Sequence, residues 1–129
     1  MLYPAPMDYL EFSNFFDKKH AWYKKLQSID CRYLGCKVFF NSKGFHHLIY
    51  KGSGKRRNQK DIERRLYLLD LVPHIIKNIT SISNYRSSGE CEFWRIDSQK
   101  IIKGKIITVI CRRNKNGPIF FYSVWETNV

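Results

Sequence analysis

Acidic residues are scarce in this chain. Eleven Asp and Glu stand against 23 Lys and Arg, leaving a formal net charge of +12. Metal-dependent nuclease chemistry needs several carboxylates converging on one ion. Asp61, Glu63, Glu90, Glu92 and Asp97 form no such pattern and lie among cations, so no metal site is expected. Paired cysteines are missing too. Cys31, Cys36, Cys91 and Cys111 contain no CxxC pair, which argues against structural zinc and for reduced, mostly buried thiols. Long apolar runs are absent: nothing approaches the roughly 20 residues that span a bilayer. The opening MLYPAPMDYLEF lacks a basic stretch followed by an apolar one. These absences lead to the expectation of a soluble cytoplasmic protein with no membrane partner and no cofactor. Internal repeats and low-complexity tracts are lacking as well.

What the chain does have is apolar and basic. Apolar residues make up 43% and aromatics 16% of the 129 positions, enough for one domain with a real core and too many for a disordered chain. The positive excess is an electrostatic footprint for a polyanion: RNA, DNA, anionic lipid or an acidic protein.

Periodicity organises the chain into an α+β pattern. After a lead-in fixed by Pro4 and Pro6, Leu10, Phe12, Phe15, Phe16, Trp22, Tyr23 and Leu26 predict an amphipathic helix over 7–27, with a possible break at Ser13-Asn14. Leu34 to Phe40 reads as a strand and Asn41 to Gly44 as a turn. GFHHLIY then forms a short helix and KGSGKRRN a loop. Ile62, Leu66, Leu69, Val72, Ile76 and Ile79 mark a long helix, with a kink or stop near Leu71 because Pro73 opens a new turn. Thr80 to Arg86 is short and β-prone; Ser87-Ser88-Gly89 is a loop. Cys91 to Asp97 and Lys105 to Arg113 are strands. Asn116-Gly117 marks a hairpin to a partner strand over Pro118 to Trp125. Helices followed by a run of strands suggest a twisted sheet with helices on one face.

Candidate chemistry concentrates between Asn41 and Asn78. From Lys43 to Arg65, Lys43, Lys51, Lys55, Arg56, Arg57, Lys60, Arg64 and Arg65 face only two acids, Asp61 and Glu63. Gly52 and Gly54 free the backbone for close approach to an anion, and guanidinium groups suit phosphate. Arg57, Lys60 and Arg64 share a helix face if that helix begins early. His46 and His47 precede the loop. As neighbours they point in different directions, so one of the two is expected at a given site, as a proton-transfer group. His20 and His74 are read as structural. A second basic group comprises Lys100, Lys103, Lys105, Arg112, Arg113 and Lys115, with Arg86 and Arg95 on neighbouring strands; aromatics among such cations would stack on unpaired bases. By alternation, Phe121, Ser123 and Trp125 share one face of the last strand. Ser123 there is either a phosphate donor or a filler between rings.

The stretch GFHHLIYKGSGKRRNQKDIERRLYLLDLVPHIIKN, followed by Tyr85-Arg86, Phe93-Trp94, KIITVICRR and PIFFYSVW, resembles the small phage- and toxin-associated nucleases of the BECR group, the barnase-, EndoU-, colicin- and RelE-like enzymes. The resemblance spans roughly Lys37 to Trp125. It implies N-terminal helices on a mainly antiparallel four-stranded sheet, with residues 1–30 as a helical extension of a single 1–129 domain. It also implies metal-independent RNA cleavage through a 2′,3′-cyclic phosphate. The family's site positions fall here on His46 or His47, the Lys55–Arg57 loop, Arg65, Arg86 and Ser123. The Glu that barnase-like members use has no counterpart in this pattern, which leaves the general base open.

Three functions follow as expectations. The first is an endoribonuclease acting as a toxin or phage effector, with an acidic protein inhibitor answering the +12 surface. The second is a non-catalytic RNA- or DNA-binding module. The third is an inactive adaptor that holds an acidic protein.

Overall fold

The computed structural model describes residues 5–129. Of the lead-in expected over residues 1–6, the part through Pro4 lies outside them. Asp8 starts the first helix, α1 (Tyr9–Leu26), by a reciprocal capping box: its carboxylate accepts from the Glu11 N–H at 2.8 Å, and Glu11 accepts from the Asp8 N–H at 3.2 Å. This satisfies two of the donors that a helix start leaves open. The helix runs unbroken through Ser13 and Asn14 and buries Phe12 and Tyr23.

A short hairpin follows, β1 (Ser28–Cys31) and β2 (Cys36–Phe39). Asn41 then caps α2 (Ser42–Ile49), accepting from the N–H groups of Lys43 and Gly44 at 3.1 and 3.3 Å. Asn58 caps α3 (Gln59–Leu69) in the same way, through the Asp61 N–H at 2.8 Å. The long helical pattern is divided as Pro73 requires. α3 stops at Leu69, and α4 (Val72–Asn78) carries Pro73 as its second residue, where a missing N–H costs nothing. Four strands complete the chain: β3 (Asn84–Ser88), β4 (Cys91–Asp97), β5 (Lys105–Asn114) and β6 (Ile119–Asn128).

The architecture is α+β, but the sheet is larger than four strands and is mixed. Six strands lie in the order β1-β2-β6-β5-β4-β3. All neighbours are antiparallel except β2 and β6, which pair in parallel at Val38↔Ile119 and Phe39↔Phe120. Two differences from the sequence reading explain this. Ser28–Cys31, expected within a helical extension, is a strand that pairs with β2. Ser87 and Ser88, expected in a loop, extend β3 along β4. Ser28–Cys31 alternates over only four residues, too few to stand out, and Asn84–Ser88 has no apolar alternation.

One face of the sheet is core. Ile96, Val109 and Val124 lie side by side, as do Trp94, Cys111 and Phe121, and all belong to one buried cluster with Leu48, Leu66, Leu69 and Ile76 from the helices. A β-bulge decides what reaches the other face. Ile110 pairs with Ser123 but Cys111 pairs with Phe121, leaving Tyr122 as the extra residue. The bulge breaks the simple alternation along β6. Phe121 therefore shares the core face with Val124, while Ser123 and Trp125 turn to the opposite face. The sequence expectation that Phe121, Ser123 and Trp125 share a face is corrected accordingly.

Gly44 sets how closely α2 packs on β6. A Cβ at this position would collide with the Phe121 carbonyl oxygen and lie 2.7 Å from the Tyr23 hydroxyl. Tyr23 itself donates to the Asn41 carbonyl at 2.7 Å. The helix start is thus pinned to α1 and β6 together. The pair His46-His47, one turn along α2, is delivered over the edge of the outer face. No helix among the described residues is long and apolar enough to cross a membrane.

Candidate functional site

Two adjoining pockets form a groove over the outer face. The first, of ≈ 330 Å³, is lined by Asn84 and Arg86 of β3, Phe93 and Arg95 of β4, Ile110 of β5, and Tyr122, Ser123 and Trp125 of β6. The second, of ≈ 420 Å³, is lined by Ser42, Lys43, His46, Tyr50, Lys51, Gly52 and Gly54. His47 and Tyr122 line both pockets and mark where they meet. Both histidines therefore border one groove, contrary to the expectation that only one faces a given site. His46 and His47 both line the second pocket, and His47 also lines the first.

Two contacts hold His47. Its ring stacks on Tyr122 with centroids 4.4 Å apart and planes 17° apart. Its carbonyl accepts from Arg57 Nε at 3.1 Å. Burial pushes its pKa down from 6.5 to about 4, and the charges of Arg57, Arg65, His46 and Arg112 push the same way. A buried imidazole among cations resists a further positive charge. At neutral pH His47 is an uncharged ring with one nitrogen lone pair available. His46 stacks on Tyr50 at 4.4 Å and stays exposed.

A row of buried and half-buried polar side chains adjoins His47. Asp61 accepts from Arg57 Nη1 at 3.3 Å and from Arg65 Nε at 3.1 Å. Arg65 Nη1 continues to the Val124 carbonyl at 2.9 Å and the Ser123 hydroxyl at 3.4 Å. Arg57 is only 8% exposed and Ser123 only 3%. Arg57, Arg65 and Ser123 thus tie the loop before α3, α3 itself and β6 into one unit. They support the groove from beneath and keep positive potential near His47.

The other cations divide by face. Arg86 and Arg112 place their guanidinium groups 5.0 and 5.3 Å from the Phe93 ring centre, and Arg112 also lies 5.1 Å from that of Tyr122. Such cation–π contacts hold charge over an apolar floor. Lys43 sits 6.0 Å from the Phe120 ring centre at the groove's other end. Arg95 bonds Asp97 at 3.3 Å. Arg113, one residue beyond Arg112, points to the opposite face, where its Nε donates to Glu92 at 2.9 Å and its charge lies over Trp94. Lys55, Arg56 and Lys60 are exposed outside both linings, and Arg64 borders a separate pocket with Asp61 and Glu126. Of the residues singled out in the sequence, the linings gather Lys43, His46, His47, Lys51, Gly52, Gly54, Arg86, Arg95 and Ser123, and Arg112 lies over the Tyr122 ring beside them.

Tyr122, Phe93, Trp125, Tyr50 and Asn84 were not singled out as site residues. The signal that points to them is aromatic and cationic alternation along β4 to β6, whose phase along β6 depends on a bulge. The remaining histidines are elsewhere. His20 stacks on Phe45 at 4.3 Å, and His74 bonds Asn78 on α4. No group of three or more His, Cys, Asp and Glu able to hold a metal ion is found among the described residues.

No protein-family model, curated protein or solved structure matches the chain.

Proposed function

We propose that this protein is a metal-independent endoribonuclease that uses the ribose 2′-OH as its nucleophile. The observation that carries the reading is His47. It is an uncharged imidazole at the junction of two pockets, ringed by cations it does not neutralise. In the proposed step His47 accepts the 2′-OH proton as the 2′-oxygen bonds to phosphorus. The phosphorus–O5′ bond breaks, and the departing oxygen takes a proton from His46 or from water. A 2′,3′-cyclic phosphate results. Arg86 and Arg112 offset the charge that develops on the non-bridging oxygens. A substrate phosphate also counteracts the cations around His47, raising its basicity when the base is needed.

Ser123 and Arg65 enter this scheme as supports rather than as reacting groups, since each is bonded to the other and largely covered. The resemblance to BECR-group nucleases agrees with the chemistry, and the same resemblance extends the proposal to a toxin restrained by an acidic inhibitor. Charge supports that partner: an acidic protein would meet the same cations as RNA.

The test is purified protein incubated with total RNA in EDTA. Cleavage with 2′,3′-cyclic phosphate ends is expected. His47→Ala should lower the rate by about 100-fold or more, and expression of the natural chain should arrest growth where His47→Ala does not. Retained cleavage in both His46→Ala and His47→Ala would sink the assignment. Tight RNA binding with no product in any condition would leave a binding module instead.

A further inference from the structure

The two pockets differ in chemistry, and the difference names the kind of strand they take; the argument rests on reading the groove as an RNA site. The second pocket is bordered by Lys43 and Lys51 with two glycines beside them, a setting for a phosphate. The first has an apolar floor of Ile110, Trp125 and Tyr122. Most of its ring surface is already engaged. Phe93 carries Arg86 and Arg112 at 5.0 and 5.3 Å, and Tyr122 carries His47 at 4.4 Å. Trp125 shows no such ring or cation contact among the described residues, although its indole lines the pocket. Asn84 and Arg95, direct register partners on β3 and β4, border the same pocket and can hydrogen-bond a base edge.

We propose that the first pocket receives one unpaired base, stacked on Trp125, while the phosphate on the 5′ side of its ribose lies in the second pocket beside Lys43 and Lys51 and the 3′ phosphate stays near Arg86 and Arg112. A base within a duplex has both faces covered and its pairing edge occupied, so it cannot enter. A single strand can splay one base out onto an aromatic platform. His47, at the junction, then stands beside the ribose that joins the base to the phosphate. The groove is a reader of single-stranded RNA, and Trp125 is its binding residue for the base.

The test uses a 2′-O-methyl RNA hexamer carrying one 2-aminopurine. Methylation blocks 2′-OH attack, so binding is measured without cleavage. Binding should quench the 2-aminopurine fluorescence. The fully paired duplex of the same sequence should bind at least about tenfold more weakly. Trp125→Leu should lose about tenfold in affinity together with the quench, and Trp125→Phe, which keeps a ring, should recover most of both. Equal affinity for duplex and single strand would overturn the proposal. So would an undiminished quench in Trp125→Leu, or a Trp125→Phe chain of unchanged melting temperature that binds no better than the Leu variant. Strand selectivity without cleavage of natural RNA would sink the nuclease and leave the pocket; cleavage without strand selectivity would do the reverse.

Discussion

His47 carries a pH dependence whose sign follows from its surroundings. In the unfolded chain it protonates near 6.5, and in the fold near 4. Between those values the unfolded chain binds more protons, so folding stability rises with pH across that window. The contribution is complete above 6.5 and is lost as the pH falls toward 4. Acidification from neutrality to below 4.5 should therefore cost on the order of 2 kcal/mol after allowance for solvent screening. Urea melts of the natural chain and His47→Ala, compared across this range, check it: the drop should shrink in the variant. A second consequence is visible by NMR. Addition of a non-cleavable RNA strand should move the His47 titration upward, because phosphate opposes the cations that depress it. A titration that stays in place with saturating RNA would mean that the phosphate lies elsewhere.

The groove depends on how α2 and α3 are set against β6, and two substitutions examine this at the level of the elements. Gly44→Ala places a methyl against the Phe121 carbonyl and the Tyr23 hydroxyl. Neither neighbour can easily yield, since one is sheet backbone and the other is bonded to the Asn41 carbonyl. The helix must shift, and a loss of about 2–3 kcal/mol is expected by denaturant unfolding. Asp61→Asn keeps the shape but removes the charge between Arg57 and Arg65. It should cost about 2 kcal/mol and lower RNA cleavage as well, because α3 loosens from β6. These same elements show what the sequence made legible. The helical periods of Ile62, Leu66 and Leu69, the stop before Pro73 and the Asn-Gly hairpin are local signals, and they agree with the fold. The strands Ser28–Cys31 and Asn84–Ser88 are sheet edges of four and five residues, too short for their own pattern to mark them without the neighbours they pair with. Arg57 looked like a phosphate ligand because a loop of Gly, Lys and Arg does not show which cation turns inward. Its carboxylate partner Asp61 lies four residues on, a spacing visible in the sequence and shared by Arg65 four residues beyond Asp61. The bulge at Tyr122 had no sequence mark, and it decides which rings meet the groove.

At the scale of the whole molecule, the issue is whether the +12 charge or its local arrangement governs affinity. A uniformly basic surface attracts any polyanion, and in that case every lysine contributes alike. The groove makes a narrower demand. Lys43, Lys51, Arg86 and Arg112 border or overlie it without a carboxylate in the linings of its two pockets, whereas Arg95 and Arg113 are bonded to Asp97 and Glu92. Four phosphate contacts by these cations give a slope of log affinity against log salt of about −3 for single-stranded RNA. Between 50 and 200 mM salt, binding should then weaken about 50-fold. Lys43→Ala combined with Lys51→Ala should halve the slope to about −1.4. Lys77→Ala combined with Lys100→Ala removes the same net charge from exposed positions outside the groove linings. That pair should leave the slope unchanged and reduce affinity only slightly at low salt, through the long-range field. An acidic inhibitor directed at the groove should follow the same order, losing hold of the Lys43/Lys51 variant and keeping the Lys77/Lys100 one. Equal slopes for the two double variants would assign binding to bulk charge and remove the groove from the argument.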